Sequence, residues 1–297
     1  MDKFNKPDFL VVGAAKSGTT SLFNYLNQHP DIYIPEVKEC RFFSQLPKNF
    51  KGLGAEFFPN SGITDEKEYF NLFEGQKDKV CGDISNDYLY YYEESIKNIK
   101  KYLGNEVKII IILRNPINRA YSNYLHALRD SWEDCSFEEA LIKETWRIKN
   151  NWAWPYHYVN AGMYYDQVKA YIEDFKNIKI FLFEDLQNKE KFFNELFNFL
   201  EIEKITIEDK KVYNMSGIPK NKLIANFVNN DNFVKKVGKF IVPKKIRKDV
   251  LNHIKNKNLK REPMRMETKE FLKEVFKDNI NKLSKLIDRD LSKWLKV

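Results

Sequence analysis

Residues Gly13-Ala-Ala-Lys16-Ser17-Gly18-Thr19-Thr20-Ser21 put two glycines, one lysine and four hydroxyls into nine positions. Those types suit a tetrahedral anion. The glycines allow a tight path, Lys16 brings a cation, and Ser17, Thr19, Thr20 and Ser21 bring donors for phosphate or sulfate oxygens. Between a buried strand and a helix, such a loop aims backbone N–H groups and the positive helix end at one point. It differs from the ATP-type loop G-x-x-x-x-G-K-[ST]. Here Thr19 stands where that lysine would be, and Lys16 comes two residues before Gly18. A second site lies at Arg114, which ends the apolar run Val107 to Leu113. A magnesium site would want a carboxylate there; a cation suits a second phosphate.

The elements that must position these residues are legible from apolar runs. Asp8-Phe-Leu-Val-Val12 and Val107-Lys-Ile-Ile-Ile-Ile-Leu113 are unbroken, as in parallel strands buried on both faces. Thr19 to Asn27 carries Leu22, Phe23 and Leu26 at helical spacing and is stopped by His29-Pro30. Val80 to Ile84 and Ile178 to Phe183 read as further strands. Tyr164, Val168, Tyr171, Ile172 and Phe175 mark one face of the helix before the last of these, and a helix bearing Ala120, Tyr124, Ala127 and Leu128 follows Arg114. Past Asn188 the pattern turns helical, with Phe192, Phe193, Leu196, Phe197 and Leu200, and later Phe271, Leu272, Val275, Phe276, Ile280, Leu283 and Ile287, predicted to face the core. The expected fold is α/β: a central parallel sheet of P-loop nucleotide-kinase type flanked by helices, with ligands at the carboxyl ends of the strands. One domain over residues 1–297, with a helical C-terminal extension from about residue 189, is the simplest division. The stretch from Asn214 to Pro263 is the least readable.

Two motifs together carry a family resemblance. Lys16-Ser-Gly-Thr-Thr-Ser-Leu22 resembles the 5′-phosphosulfate loop of sulfotransferases that use 3′-phosphoadenosine 5′-phosphosulfate (PAPS), and Leu113-Arg-Asn-Pro-Ile-Asn-Arg-Ala-Tyr-Ser122 resembles their 3′-phosphate motif. In style the chain is similar to the heparan-sulfate-type and bacterial carbohydrate enzymes, through His29-Pro-Asp31, Glu39-Cys-Arg-Phe-Phe43, Gly82-Asp-Ile-Ser-Asn-Asp-Tyr88 and Asp288-Arg-Asp-Leu-Ser-Lys-Trp294. The resemblance implies that Lys16, Ser17, Gly18, Thr19, Thr20, Ser21, Arg114 and Ser122 hold PAPS or its product PAP, with Arg119 as a competing cation. It also implies Glu39 as general base and Lys16 as support for the leaving phosphate, in an in-line transfer that needs no metal. Glu36, three residues earlier, is the competing carboxylate. Other branches use a histidine base, which makes His126 and His157 acceptor-side candidates, whereas His29 at a helix stop reads as structural. The chain departs from the Gly-Glu-Lys-[Ser/Thr]-Pro-x-Tyr tract of its relatives at Asp83, Ile84 and Asn86, which removes one expected cation near the sulfuryl group or acceptor; Asp83 either meets acceptor hydroxyls or ties a neighbouring loop.

Bulk properties bound the partners. At 43% hydrophobic and 15% aromatic residues, with 11 Gly and 10 Pro, the chain is an ordinary globular one. A net charge of +8 favours anionic ligands without choosing among them. The basic runs at 235–236, 244–245, 247–248 and 255–261 read as solvated faces, and no nucleic-acid reading module is present in the sequence. Cys40, Cys81 and Cys135 form neither a disulfide framework nor a zinc spacing, and no apolar run reaches the length of a membrane span or signal core. A cytoplasmic location is expected. Trp152-Ala-Trp-Pro-Tyr-His-Tyr158 offers rings that either border a sugar-binding cleft or cap the core. The expected function is sulfuryl transfer from PAPS to a hydroxyl or amine of a carbohydrate acceptor. The alternatives are a P-loop small-molecule kinase and a non-catalytic protein that binds PAP or sulfated glycans.

Overall fold

The computed structural model describes residues 5–46, 49–53, 55, 62–208, 218–220, 259–260 and 262–296. The basic runs at 235–236, 244–245 and 247–248, and most of 255–261, lie outside the described residues. The first apolar run forms β1 (Phe9–Gly13), all five residues buried. It is followed by α1 (Thr19–Leu26) and a short β2 (Ile32–Tyr33). Then come α2 (Glu66–Asn71), β3 (Val80–Ile84), α3 (Tyr92–Leu103), β4 (Lys108–Leu113) and α4 (Pro116–Arg129). The chain continues through α5 (Phe137–Lys149), α6 (Tyr164–Asp174), β5 (Ile178–Leu182) and α7 (Lys189–Leu200). Last are a two-stranded antiparallel pair, β6 (Ile218–Pro219) and β7 (Leu259–Lys260), and the long α8 (Met266–Leu286).

The first five strands form a parallel sheet in the order β2-β3-β1-β4-β5. Because every strand points the same way, the loops after β1, β3, β4 and β5 all leave one edge. With β1 between β3 and β4, that edge has the crevice that α/β sheets offer to ligands. Gly82 sits in register with Phe9, and a Cβ there would lie 2.1 Å from the Phe9 ring, so glycine is what lets β3 approach β1.

Alternate residues of each central strand feed two cores. Phe9, Val11, Ile110 and Ile112 meet Leu22 and Leu26 of α1 and Phe193, Leu196 and Phe197 of α7. On the other face, Leu10, Val12, Ile109, Ile111 and Leu113 meet α4, α6 and α8 through residues such as Ala120, Val168 and Phe276. Several of the apolar positions read from the sequence come out differently: Phe271 is 58% and Ile172 37% exposed, and Val275 and Ile287 are half-buried. Phe271 and Val275 instead line a groove of about 590 Å³ shared with Leu141, Ile142 and Ile148 of α5. The stripe read from the sequence was wider than the face that α8 turns to the sheet.

Candidate active site

The loop after β1 enters α1 through Gly18, which has φ 92°, a left-handed conformation that glycine takes without a Cβ penalty. A Cβ at Gly18 would also meet Leu186 and Phe183, 3.1 and 3.2 Å away, so the turn after β5 closes over the loop. No acidic residue lies in the first turn of α1, leaving its positive end unneutralised. Ser17 is fully buried, and its hydroxyl lies beside that of the equally buried Tyr164. Hydroxyls beside the N-terminal end of a helix are the kind of donors that suit a tetrahedral anion.

Arg114 follows β4 and donates from Nη1 to the Lys16 carbonyl at 2.9 Å, with its guanidinium 4.8 Å from the Phe183 ring centroid. The second motif therefore braces the first. Asn115 caps α4 by accepting from the backbone N–H groups of Ile117 and Asn118, and Ser122 lies buried further along that helix. Arg119 is fully buried, donates to the Tyr158 carbonyl, and leaves Nε and Nη1 without acceptors. Burial drives the Lys16 ammonium down to about 7, the Arg129 guanidinium pushes the same way, and Asp130 and Glu39 oppose it. Lys16 thus feels charges from both α4 and the segment after β2.

That segment carries Glu39. Both Glu39 (φ 64°) and Arg41 (φ 57°) are left-handed, and the Glu39 N–H bonds to the carbonyl of Ile84 at the end of β3. The carboxylate accepts from Arg41 Nη2 at 2.9 Å, Asn86 Nδ2 at 2.7 Å and Lys38 Nζ at 3.1 Å. Lys38 also donates to Thr20 Oγ1 at 2.8 Å, which ties the segment to the first turn of α1. Burial pushes the Glu39 carboxyl up, but Lys38 and Arg41 outweigh it and hold the group below the usual carboxylate range. Glu36 is exposed and outside this network. The sequence reading missed Arg41 and Asn86 as partners of Glu39, as well as Arg129 and Asp130 beside Lys16. Only the charge alternation of Lys38-Glu39-Cys40-Arg41 hinted at the first.

Asp83, the histidines and the aromatic segment have partners of their own. Asp83 is buried and accepts from Tyr69 and Tyr88 at 3.0 and 2.8 Å and from Ser85 at 2.9 Å, so it ties α2 to the loop after β3. His29 is buried, with Nδ1 accepting from the Asp31 N–H and Nε2 against the Glu203 carbonyl. His157 is buried against the Tyr90 hydroxyl at 2.6 Å, and burial lowers its imidazole to about 4, leaving it neutral. His126 packs beside Arg129 and Asp130 at the end of α4. Trp154, Tyr156 and Tyr158 are buried, and Trp152 packs edge-on to Tyr156 and over Arg147, forming a small satellite core with Phe50. Tyr88 is fully buried, whereas Tyr90 in the same turn and Tyr92 at the start of α3 are half-buried.

Known proteins resemble this chain in sequence and fold. A bacterial sulfotransferase from Alicyclobacillus acidocaldarius superposes with a TM-score of 0.77 at 31% identity, covering 98% of this chain and 100% of its own. The sulfotransferase domain of the curacin biosynthetic pathway, at 14% identity and a TM-score of 0.50, shares the fold. Two curated relatives are the membrane-associated sulfotransferase kil1 of Dictyostelium discoideum, 30% identical over 150 residues, and the mouse bifunctional heparan sulfate N-deacetylase/N-sulfotransferase 4, 36% identical over 129. These alignments cover 47% and 40% of this chain, and the chain spans only 29% and 13% of the lengths of those proteins. With the sulfotransferase-domain family model matching residues 6–284, the chain belongs to the sulfotransferase family.

Proposed function

We propose that the protein transfers a sulfuryl group from PAPS to a hydroxyl or amine of a carbohydrate, with Glu39 as general base. The observation that carries this reading is the run of hydrogen bonds from Thr20 through Lys38 to Glu39, which sets a carboxylate beside the N-terminal end of α1. Acceptor oxygen or nitrogen must lose a proton as it attacks sulfur, and the phosphate oxygen of the donor must be stabilised as it leaves. Glu39 takes the first task, already ionised. Lys16 takes the second, gaining its charge when the donor phosphate arrives. Ser17, Gly18, Thr19, Thr20 and Ser21 hold the 5′-phosphosulfate, and Arg114 with Ser122 holds the 3′-phosphate.

The carbohydrate acceptor rests on relatives whose names include carbohydrate sulfotransferase 15 and the heparan sulfate enzymes. Asp83 belongs to the protein's interior in this reading, not to the acceptor. Among the described residues no helix is long and apolar enough to cross a membrane, and the three cysteines are free, which favours a reducing, cytoplasmic compartment. Residues 1–297 are taken as one sulfotransferase domain, since α7 and α8 pack on opposite faces of the same sheet. The test is transfer of labelled sulfate from PAPS across a panel of glycans, phenols and amines. Wild-type protein should label a glycan and Glu39→Gln should lose about a hundredfold or more; undiminished transfer by Glu39→Gln would remove Glu39 from the role.

A further inference from the structure

Lys38 sits where the donor loop and the proposed base meet. Two of its three N–H groups are engaged, one on Thr20 Oγ1 and one on Glu39 Oε1, at 2.8 and 3.1 Å. Its side chain is 22% exposed, so it is not sealed inside the protein. Glu39 does not depend on Lys38 for its place, because Arg41 and Asn86 grip both of its oxygens independently. The same ammonium lies one hydrogen bond from the first turn of α1, where an anion is drawn. A lysine is a compact, rotatable cation that can exchange one oxygen partner for another at little cost in geometry.

We infer that Lys38 is the cation that grips the transferring sulfuryl group: it stays on Thr20, exchanges the Glu39 carboxylate for a sulfuryl oxygen when the donor binds, and so frees Glu39 for the acceptor. This rests on the PAPS reading above. In the step itself the acceptor oxygen or nitrogen forms its bond to sulfur, the bond from sulfur to the 5′-phosphate oxygen breaks with its electron pair staying on the phosphate, and the acceptor proton passes to Glu39. Lys38 exchanges no proton. Its movement has a second effect, since the contact with Lys38 is one of the two that keep Glu39 a weak base. Donor binding would thereby strengthen the base only when there is a sulfuryl group to transfer.

The experiment compares PAP with PAPS by titration calorimetry in the absence of acceptor, using wild type, Lys38→Met and Lys38→Arg. PAP lacks the sulfuryl group and reports on the rest of the donor site, including whether each variant is folded. Lys38→Met should bind PAPS about tenfold more weakly while PAP stays within about twofold, and Lys38→Arg should recover most of the loss. An unchanged PAPS affinity, or an equal loss for both nucleotides, would overturn the assignment of Lys38. Failure of the wild type to bind either nucleotide would instead sink the donor reading, and this inference with it.

Discussion

A lysine held near neutrality is an anion detector. Lys16 sits at about 7 because burial and Arg129 outweigh Asp130 and Glu39. A phosphate placed against it favours the charged form, so its pKa must be higher with PAP bound than without. Above pH 7 the protein should therefore take up a proton as PAP binds, and PAP affinity should fall as pH rises from 7.5 to 9. Calorimetry in two buffers of different ionisation enthalpy measures that uptake, and none at pH 8 would mean that Lys16 does not meet the phosphate. Asp83 belongs to a different account. Replacing it with alanine leaves the buried hydroxyls of Tyr69, Tyr88 and Ser85 without their acceptor, and should lower stability by about 3 kcal/mol in denaturant titration. A stable Asp83→Ala protein with poor transfer would return Asp83 to the acceptor site.

The site is made where elements end. β1 and β4 deliver Lys16 and Arg114 to one sheet edge, and β3 delivers Ser85 to Tyr88 beside them. Gly82→Ala should push β3 off Phe9 and cost about 1–3 kcal/mol, read as a drop in melting temperature; an unaltered melting temperature would show that the strand spacing has slack. The donor loop, Arg114 and the central strands could be read from sequence because each is contiguous, marked by an unbroken apolar run and its punctuation. The surroundings of Glu39 could not. They depend on two left-handed residues, Glu39 and Arg41, and on β2 pairing with β3, which brings Asn86 across 47 positions. Exposure of Phe271 was hidden for a related reason: helical period shows a stripe but not how much of it a neighbouring helix covers.

At the scale of the molecule, α7 and α8 share their cores with the strands of the sheet. α7 completes one core and α8 the other, with Leu196, Phe197, Leu272 and Phe276 all buried. Thermal and denaturant unfolding should therefore show one transition by tryptophan fluorescence and far-ultraviolet circular dichroism alike. Separate transitions would divide the chain into units. What the common edge of that sheet binds separates a sulfotransferase from a kinase. A ligand specific to the native state raises its melting temperature by mass action, so a thermal-shift comparison of PAP, ATP and ATP with magnesium decides between a sulfuryl donor and a phosphoryl donor. A rise of several degrees with PAP that needs no magnesium is the expected result, and stabilisation by ATP with magnesium but not by PAP would contradict it.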